Sequence, residues 1–229
     1  MADSLDREDE LRRNLVADVA HELRTPLAVL QGSTEALLDG IDRPDVPTLA
    51  SLHDEVIRLR RLVGDLESLA AAEAAGLHLR ADRVDLSDVA ATAVDLLGPF
   101  AAERRVTLAT DLLVARTAGD ADRLLQVAVN LVANAVKFSP TDTCVTVRTA
   151  TVGGNAVLEV SDQGAGIRPG DVAHIFERFW RGSEATGTTG NGVGLAIVKE
   201  LVTAHRGTVS VTNNPERGAR FTVQLPSST

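Results

Sequence analysis

Residues Asp120 to Phe138 read DADRLLQVAVNLVANAVKF, and the placement of polar residues in this stretch decides how the rest of the chain is read. On a helix of ~3.6 residues per turn, Arg123, Gln126, Asn130, Asn134 and Lys137 fall within a wedge of roughly 80°. Everything else between Leu124 and Val136 is Leu, Val or Ala. A helix that is apolar around most of its circumference is buried, so its one polar stripe must face something polar enough to offset desolvation. A stripe that merely faced water would recruit Glu, Lys or Arg and not two asparagines, which are poor helix formers. Two amide oxygens one turn apart suit a hydrated hard cation, and the lysine suits phosphate oxygens.

Around this helix the sequence alternates strand and helix patterns. A helix is expected over Asp85 to Arg105, with Asp85 or Ser87 as its cap. Short strands are expected at Val106 to Thr110 and Ala115 to Ala118, and further strands at Cys144 to Thr151, Ala156 to Ser161, Thr208 to Thr212 and Arg220 to Leu225. Another helix is expected from about Val193 to His205. Hairpin-like strand pairs mixed with helices give an α+β two-layer sandwich over residues 84–229.

Directly after one of these strands comes Asp162-Gln163-Gly164-Ala165-Gly166. A carboxylate at a strand end can accept a hydrogen bond from the exocyclic amine of adenine. Guanine presents a carbonyl there and would be repelled, so a carboxylate in that role favours ATP over GTP. By itself this turn is common, and it gains weight from following the asparagine stripe by about thirty residues. The glycines let backbone approach the base with no Cβ in the way. From about 167 to 192 runs a long loop containing the apolar knot Ile175-Phe176-Glu177-Arg178-Phe179-Trp180-Arg181. Gly190, Gly192 and Gly194 then lead into the next helix, whose first N–H groups suit phosphate. A mobile lid clamped by aromatics is the reading.

Residues 1–75 have a different character: two helices, about 5–40 and 47–75, joined by the turn-rich GIDRPDVP of Gly40 to Pro47, with Thr48 as a cap for the second. Leu15, Val19, Leu23, Leu27, Leu30, Thr34 and Leu37 form one apolar stripe. His21 falls roughly opposite its centre and is therefore exposed. Thr25 lies one turn on, and Pro26 supplies no N–H to the carbonyl of Glu22, so a bend is expected beside His21. A neutral imidazole is nucleophilic at neutral pH, and the Glu22 carboxylate can fix its tautomer or take its proton. In the second helix Leu49, Leu52, Val56, Leu59, Val63, Leu66 and Ala70 form a heptad seam. Two helices do not close a core alone, which favours a homodimeric four-helix bundle; a hairpin packed on the second domain is the alternative. Residues 76–83 read as a linker.

Composition narrows the function classes. The 229 residues are 44% hydrophobic and 24% charged, as in folded globular proteins. With only 3% aromatic residues and no tyrosine, stacking platforms for single strands or sugars are disfavoured. A formal net charge of −9 disfavours nucleic acid and anionic membranes as partners. The one cysteine, Cys144, has no partner for an internal disulfide and reads as a buried structural thiol in a reducing compartment. No stretch reaches the ~20 apolar residues of a spanning helix. The chain is read as cytoplasmic: either a soluble protein or the cytoplasmic portion of a membrane-bound receptor, reaching the membrane only through an N-terminal sensor and transmembrane region.

HELRTP, His21 to Pro26, resembles the H-box of sensor histidine kinases. NLVANAVKFSP resembles the N-box of the family's ATP-binding domain, shared in looser form with gyrase-type ATPases. Asp162 to Gly166 resembles the adenine-contacting turn, Phe176 and Phe179 the F-box, and the later glycines the G2 box. Val193 stands where Leu is usual, and Gln163 where Asn is common. Five motifs in order cover nearly the whole chain, as a dimerisation and phosphotransfer hairpin followed by a Bergerat-type ATP-binding domain.

This resemblance implies that His21 accepts the γ-phosphoryl group of ATP with help from Glu22, and that Thr25 orients water when the partner is dephosphorylated. It further implies that Asn134 binds Mg²⁺ with Asn130 beside it, that Lys137 contacts phosphate, and that Asp162 reads adenine. Arg178 and Arg181 are candidate phosphate contacts. The phosphoryl group is expected to pass to an aspartate on the receiver domain of a response regulator, docking on the face of Ala28, Gln31, Gly32 and Glu35. Two further readings are an enzyme acting mainly as a phosphatase of its regulator, and a nucleotide-sensing dimeric scaffold without kinase chemistry.

Overall fold

The computed structural model describes residues 19–20, 23–75, 79–180 and 191–228, without the side chains of 65 and 71–75. Contacts divide the chain into two units, Met1–Glu67 and Ser68–Thr229. In the first, helix α1 covers residues 23–38. Its end is a Schellman motif: Ile41 N–H donates to the Ala36 carbonyl (2.9 Å) and Gly40 N–H to that of Leu37 (3.3 Å), with Gly40 at φ +69°. Helix α2 spans Val46–Ala75. Its cap is Asp45, whose Oδ1 accepts the Thr48 N–H at 3.0 Å, and not Thr48 itself. Pro47 in the first turn gives up a donor that has no intrahelical acceptor there. That bond from Thr48 holds the Asp45 carboxyl below its ordinary pKa.

The heptad seam of α2 is split by burial. Leu52, Leu59 and Leu66 are half-buried. Leu49, Val56 and Val63 are 52%, 52% and 44% exposed, and Leu27 of α1 is 53% exposed. One rank of the seam is partly shielded and the other exposed, and the buried positions of α2 among the described residues are Leu62 and Leu69, off the seam.

In the second unit, which begins within the last turns of α2, the first strand is one that the sequence pattern hides. β1 (Asp82–Asp85) occupies the end of the stretch read as linker and pairs antiparallel with β3 (Arg116–Gly119). Asp85 caps α3 (Leu86–Glu103), as expected: its Oδ1 accepts from Ser87 N–H, from Ser87 Oγ–H and from Ala115 N–H, at 3.0, 2.8 and 3.0 Å. The remaining elements are β2 (Val106–Leu112), α4 (Ala121–Phe138), β4 (Thr143–Val152), β5 (Asn155–Ser161), α5 (Gly194–Ala204), β6 (Thr208–Asn213) and β7 (Ala219–Pro226). The large sheet runs β2-β4-β5-β7-β6, with β2 and β4 parallel and every other pair antiparallel.

Strand alternation sends one face to the helices. Val147, Val160 and Phe221 are neighbours in one cross-strand row and Thr149, Leu158 and Val223 in the next, and all six are buried. The opposite face carries Asp111, Arg148, Glu159 and Thr222 in register, with an Arg148–Asp111 ion pair at 3.3 Å. Helices α3, α4 and α5 form the second layer, and α4 packs against both others. Leu124, Val127, Ala128, Leu131, Val132, Ala135 and Val136 of α4 are at most 2% exposed. Fully burying one Leu or Val of this set is worth about 1.5–3 kcal/mol. This is the expected α+β sandwich. Cys144 corrects the expectation of a buried thiol: it is half-buried near the start of β4, where the strand is paired with β2 alone and β5 joins only from Thr146.

Candidate functional site

Helix α4 is positioned from its first residue. Asp120 Oδ1 accepts the Asp122 and Arg123 N–H groups at 3.1 and 3.3 Å, while the Asp120 N–H donates to His205 Nε2 at 3.0 Å. A backbone N–H only donates, so Nε2 is the unprotonated nitrogen of His205 and Nδ1 carries the proton to the Leu201 carbonyl at 2.7 Å. His205, only 7% exposed, thus ties the end of α5 to the start of α4. The stripe lies as the helical wheel requires: Arg123, Gln126, Asn130, Asn134 and Lys137 are half-buried, with Arg123 Nη1 donating to Gln126 Oε1 at 3.3 Å. Asn130 Nδ2 is buried with no hydrogen-bond partner among the described residues. A buried amide left unpaired is costly, which makes Asn130 a candidate contact for a bound acceptor.

The Asp162 loop abuts the other end of α4. A Cβ on Gly164 would lie 2.6 Å from the Phe138 carbonyl oxygen, so only glycine allows the loop this close. Asp162 is 5% exposed, and its Oδ1 accepts the N–H groups of Gly164 (2.8 Å) and Ala219 (3.1 Å). Both bonds fall on one carboxylate oxygen, leaving Oδ2 for a ligand. Burial pushes the Asp162 pKa above its ordinary value, while the bonds from Gly164 and Ala219 pull the other way. Gln163, the departure from the usual Asn, anchors the loop to β4 by accepting the Cys144 N–H at 2.9 Å.

In the segment from 167 to 180, Phe176 packs edge-to-face on Phe221 of β7 with ring centroids 6.3 Å apart. His174 lies 4.9 Å from the Trp180 ring and pairs with Glu177 at 2.8 Å. Gly192 fits against the backbone of Phe179 and Trp180, which a Cβ there would meet at 2.6 Å. Phe176 is therefore the member of the apolar knot that packs on the sheet. Helix α5 begins at Gly194, and its N-cap, Val193, makes no side-chain cap bond, so the first-turn N–H groups have no such partner. A Cβ on Gly194 would stand 3.9 Å from Asn130 Oδ1, which puts this helix start beside the asparagine stripe. The structure thus gathers Asn130, Asn134 and Lys137, the Asp162 loop with Gly164 and Gly166, and Gly192 with Gly194 around α4.

Thr25 is exposed on α1, as the wheel places it. His21, Glu22, Arg181 and Gly190 lie outside the described residues, and with them the expected bend beside His21.

Residues 119–229 match the family model for "Histidine kinase-, DNA gyrase B-, and HSP90-like ATPase", and residues 11–75 match "His Kinase A (phospho-acceptor) domain". A mycobacterial sensor histidine kinase, MprB, has a solved structure 30% identical, covering 64% of this chain and 97% of that one at a TM-score of 0.59. The chain belongs to the sensor histidine kinase family. The signal transduction histidine-protein kinase BaeS of Escherichia coli is 34% identical over 99% of this chain and 49% of its own length. The Acinetobacter baumannii histidine kinase AdeS is 28% identical, with a TM-score of 0.72 over 91% of this chain and 98% of that structure. The chain spans about half the length of BaeS. No helix among its described residues is long and apolar enough to cross a membrane.

Against this histidine kinase fold, sequence reasoning missed the turn between β6 and β7. Asn214 Nδ2 donates to Ser161 Oγ and to the Asp162 carbonyl, both at 2.9 Å, and Arg217 Nε donates to the Gly164 carbonyl at 3.2 Å. Gly218, at φ +93°, leaves no room for a side chain: a Cβ would lie 2.0 Å from the Asp162 carbonyl oxygen. The one available signal was the turn composition of NNPERG at 213–218.

Proposed function

We propose that this chain is the catalytic core of a protein histidine kinase, which phosphorylates itself on His21 from ATP and passes the phosphoryl group to an aspartate on a response-regulator receiver domain. The convergence around α4 carries the reading. A buried carboxylate with one oxygen fully bonded, an orphaned asparagine amide and an uncapped helix start form a row suited to a base, a metal-bound phosphate and further phosphate oxygens.

In this reading Asp162 Oδ2 accepts the exocyclic amine of adenine, and Gly164 and Gly166 let the loop lie along the base. Asn130 and Asn134 would hold Mg²⁺ through their amide oxygens, and the unpartnered Asn130 amide fits a phosphate or a metal-bound water. When bound, Mg²⁺ supplies neutralisation of phosphate charge. Lys137, with Gly190, Gly192 and Gly194 at the start of α5, contacts the phosphate chain, and Phe176, with Phe179 assigned beside it on sequence, anchors the lid. Arg181 is assigned to the same phosphates on sequence alone.

An unprotonated imidazole nitrogen of His21 attacks the γ-phosphorus in line. The N–P bond forms as the bond to the β-bridging oxygen breaks, ADP leaves, and the other ring proton is stabilised or accepted by Glu22. Transfer to the regulator breaks that N–P bond and forms an acyl phosphate on the aspartate. Thr25, exposed on α1, is assigned to orienting the water that hydrolyses that acyl phosphate, freeing the aspartate and inorganic phosphate. The exposed rank Leu49, Val56 and Val63 supports a homodimer, because leaving three such side chains in water forgoes the burial a four-helix bundle provides.

The reading is tested by incubating the purified chain with ATP labelled at the γ-phosphate. An acid-labile, base-stable label on protein is expected, absent in His21→Gln. A parent protein that binds ATP and never labels would instead support the scaffold reading, and one that only strips phosphate from a phosphorylated regulator the phosphatase reading.

A further inference from the structure

The turn at residues 213–218 takes no part in the chemistry above, yet it grips both ends of the Asp162–Ile167 loop. The near end is tied through Asn214 and Ala219. The far end is tied through Asn213: its Oδ1 accepts the Ile167 N–H at 2.8 Å and its Nδ2 donates to the Ile167 carbonyl at 2.8 Å. One carboxamide therefore satisfies both backbone groups of Ile167, as a paired strand residue would. The same amide closes on Gly166, where φ is +78° and a Cβ would stand 2.9 Å from Asn213 Oδ1. Between the tied ends lie Gly164, whose carbonyl Arg217 also holds, Ala165 and Gly166, a segment with little intrinsic stiffness.

We propose that Asn213 is a positioning residue that determines nucleotide specificity, pinning Ile167 so that the free carboxylate oxygen of Asp162 is held where it meets the exocyclic amine of adenine. This rests on the reading of Asp162 as the adenine reader. Without the pin, the glycine-rich loop gains conformational freedom that must be given up again each time the base binds. The loss falls on the base and not on the phosphates, because the stripe of α4 and the start of α5 do not depend on Ile167.

The test is calorimetric titration of the full chain with ATP and with GTP in the presence of Mg²⁺, alongside steady-state labelling. Removing two solvent-accessible hydrogen bonds in Asn213→Ala should weaken ATP binding about five- to tenfold, change GTP binding little, and leave the labelling rate at saturating ATP intact. A serine hydroxyl ends one bond short of the carboxamide and cannot span both Ile167 groups, so Asn213→Ser should recover little of the lost affinity. Asn213→Asp, which faces the Ile167 carbonyl with no donor, should be at least as weak as the alanine variant. A lowered melting temperature with an unchanged ATP-to-GTP ratio in the alanine and serine variants overturns the proposal and makes Asn213 a structural brace. Asp162→Asn serves as the reference: lost ATP binding there with unchanged Asn213→Ala sinks this inference alone, whereas unchanged binding in both sinks the adenine reading with it.

Discussion

Asp162→Asn separates the site's two demands on one side chain. In the native protein Oδ1 accepts from Gly164 and Ala219, and an asparagine oxygen can accept both bonds in the same place. The alternative flip would turn the amide NH₂ against two backbone donors, so the retained orientation presents NH₂ where Oδ2 stood. In the proposed reading, a charged acceptor facing the adenine amine is thereby replaced by a donor facing a donor. A hydrogen bond to a charged group is worth about 1.5–3 kcal/mol, and repulsion moves the loss to the upper part of that range, a fall in ATP affinity of about 30- to 150-fold. Guanine carries a carbonyl at the same position, so GTP should bind relatively better and the preference narrow. Stability should move the other way. Asp162 has a raised pKa because its burial disfavours the charged form. The folded state therefore binds its proton more tightly than the unfolded state, and stability is lost as pH rises from the ordinary 3.8 through the raised value. The asparagine variant lacks that loss, so its melting temperature should gain on the parent as pH rises through that window and keep the gain at neutral pH. Calorimetric titration and thermal melts across pH read both effects. Equal losses of ATP and GTP affinity, or a neutral-pH melting temperature well below the parent's, would refute the reasoning.

Further outcomes follow from the same geometry. Gly218→Ala forces a Cβ against the Asp162 carbonyl at a positive φ of +93°, and should cost about 3–5 kcal/mol in chemical denaturation. Asp85→Ala removes the cap of α3 and a bond to Ala115, a cost of about 1–2 kcal/mol at neutral pH. Burial tends to raise the Asp85 pKa, but the bonds from Ala115 and Ser87 and the charge of Arg116 outweigh it, so the folded value is depressed. That stabilisation is present above the ordinary 3.8 and is lost as pH falls through the depressed value, so the stability gap between variant and parent should shrink in acid. Asn134→Ala should weaken ATP binding about tenfold or more with Mg²⁺ and far less in chelator, with helix stability kept because alanine is the better helix former.

How far the sequence spoke depended on whether a signal was local. The stripe of α4 could be read in advance because one helix carries all of it, and helical periodicity alone separates Asn130 and Asn134 from Leu131 and Val132. The Asp162 turn was legible because it directly follows a strand. β1 was hidden: four residues, Asp82–Asp85, with one buried position carry too little alternation to stand apart from a linker, and they become a strand only by pairing with β3 more than thirty residues on. The roles of Asn213, Asn214 and His205 were illegible for the same reason. Their partners, Ile167, Asp162 and Asp120, lie 46, 52 and 85 residues away in the chain, and no local pattern announces such a bond.

The central claim is that the site around α4 supplies phosphate to His21. Incubation of the full chain with γ-labelled ATP and Mg²⁺, followed by acid and base treatment, tests it directly. The account predicts a protein-bound label that survives base, is lost in acid, disappears in His21→Gln, and is sharply reduced in Asp162→Asn. Label that persists in His21→Gln, or a parent chain that binds ATP and takes up none, would contradict it.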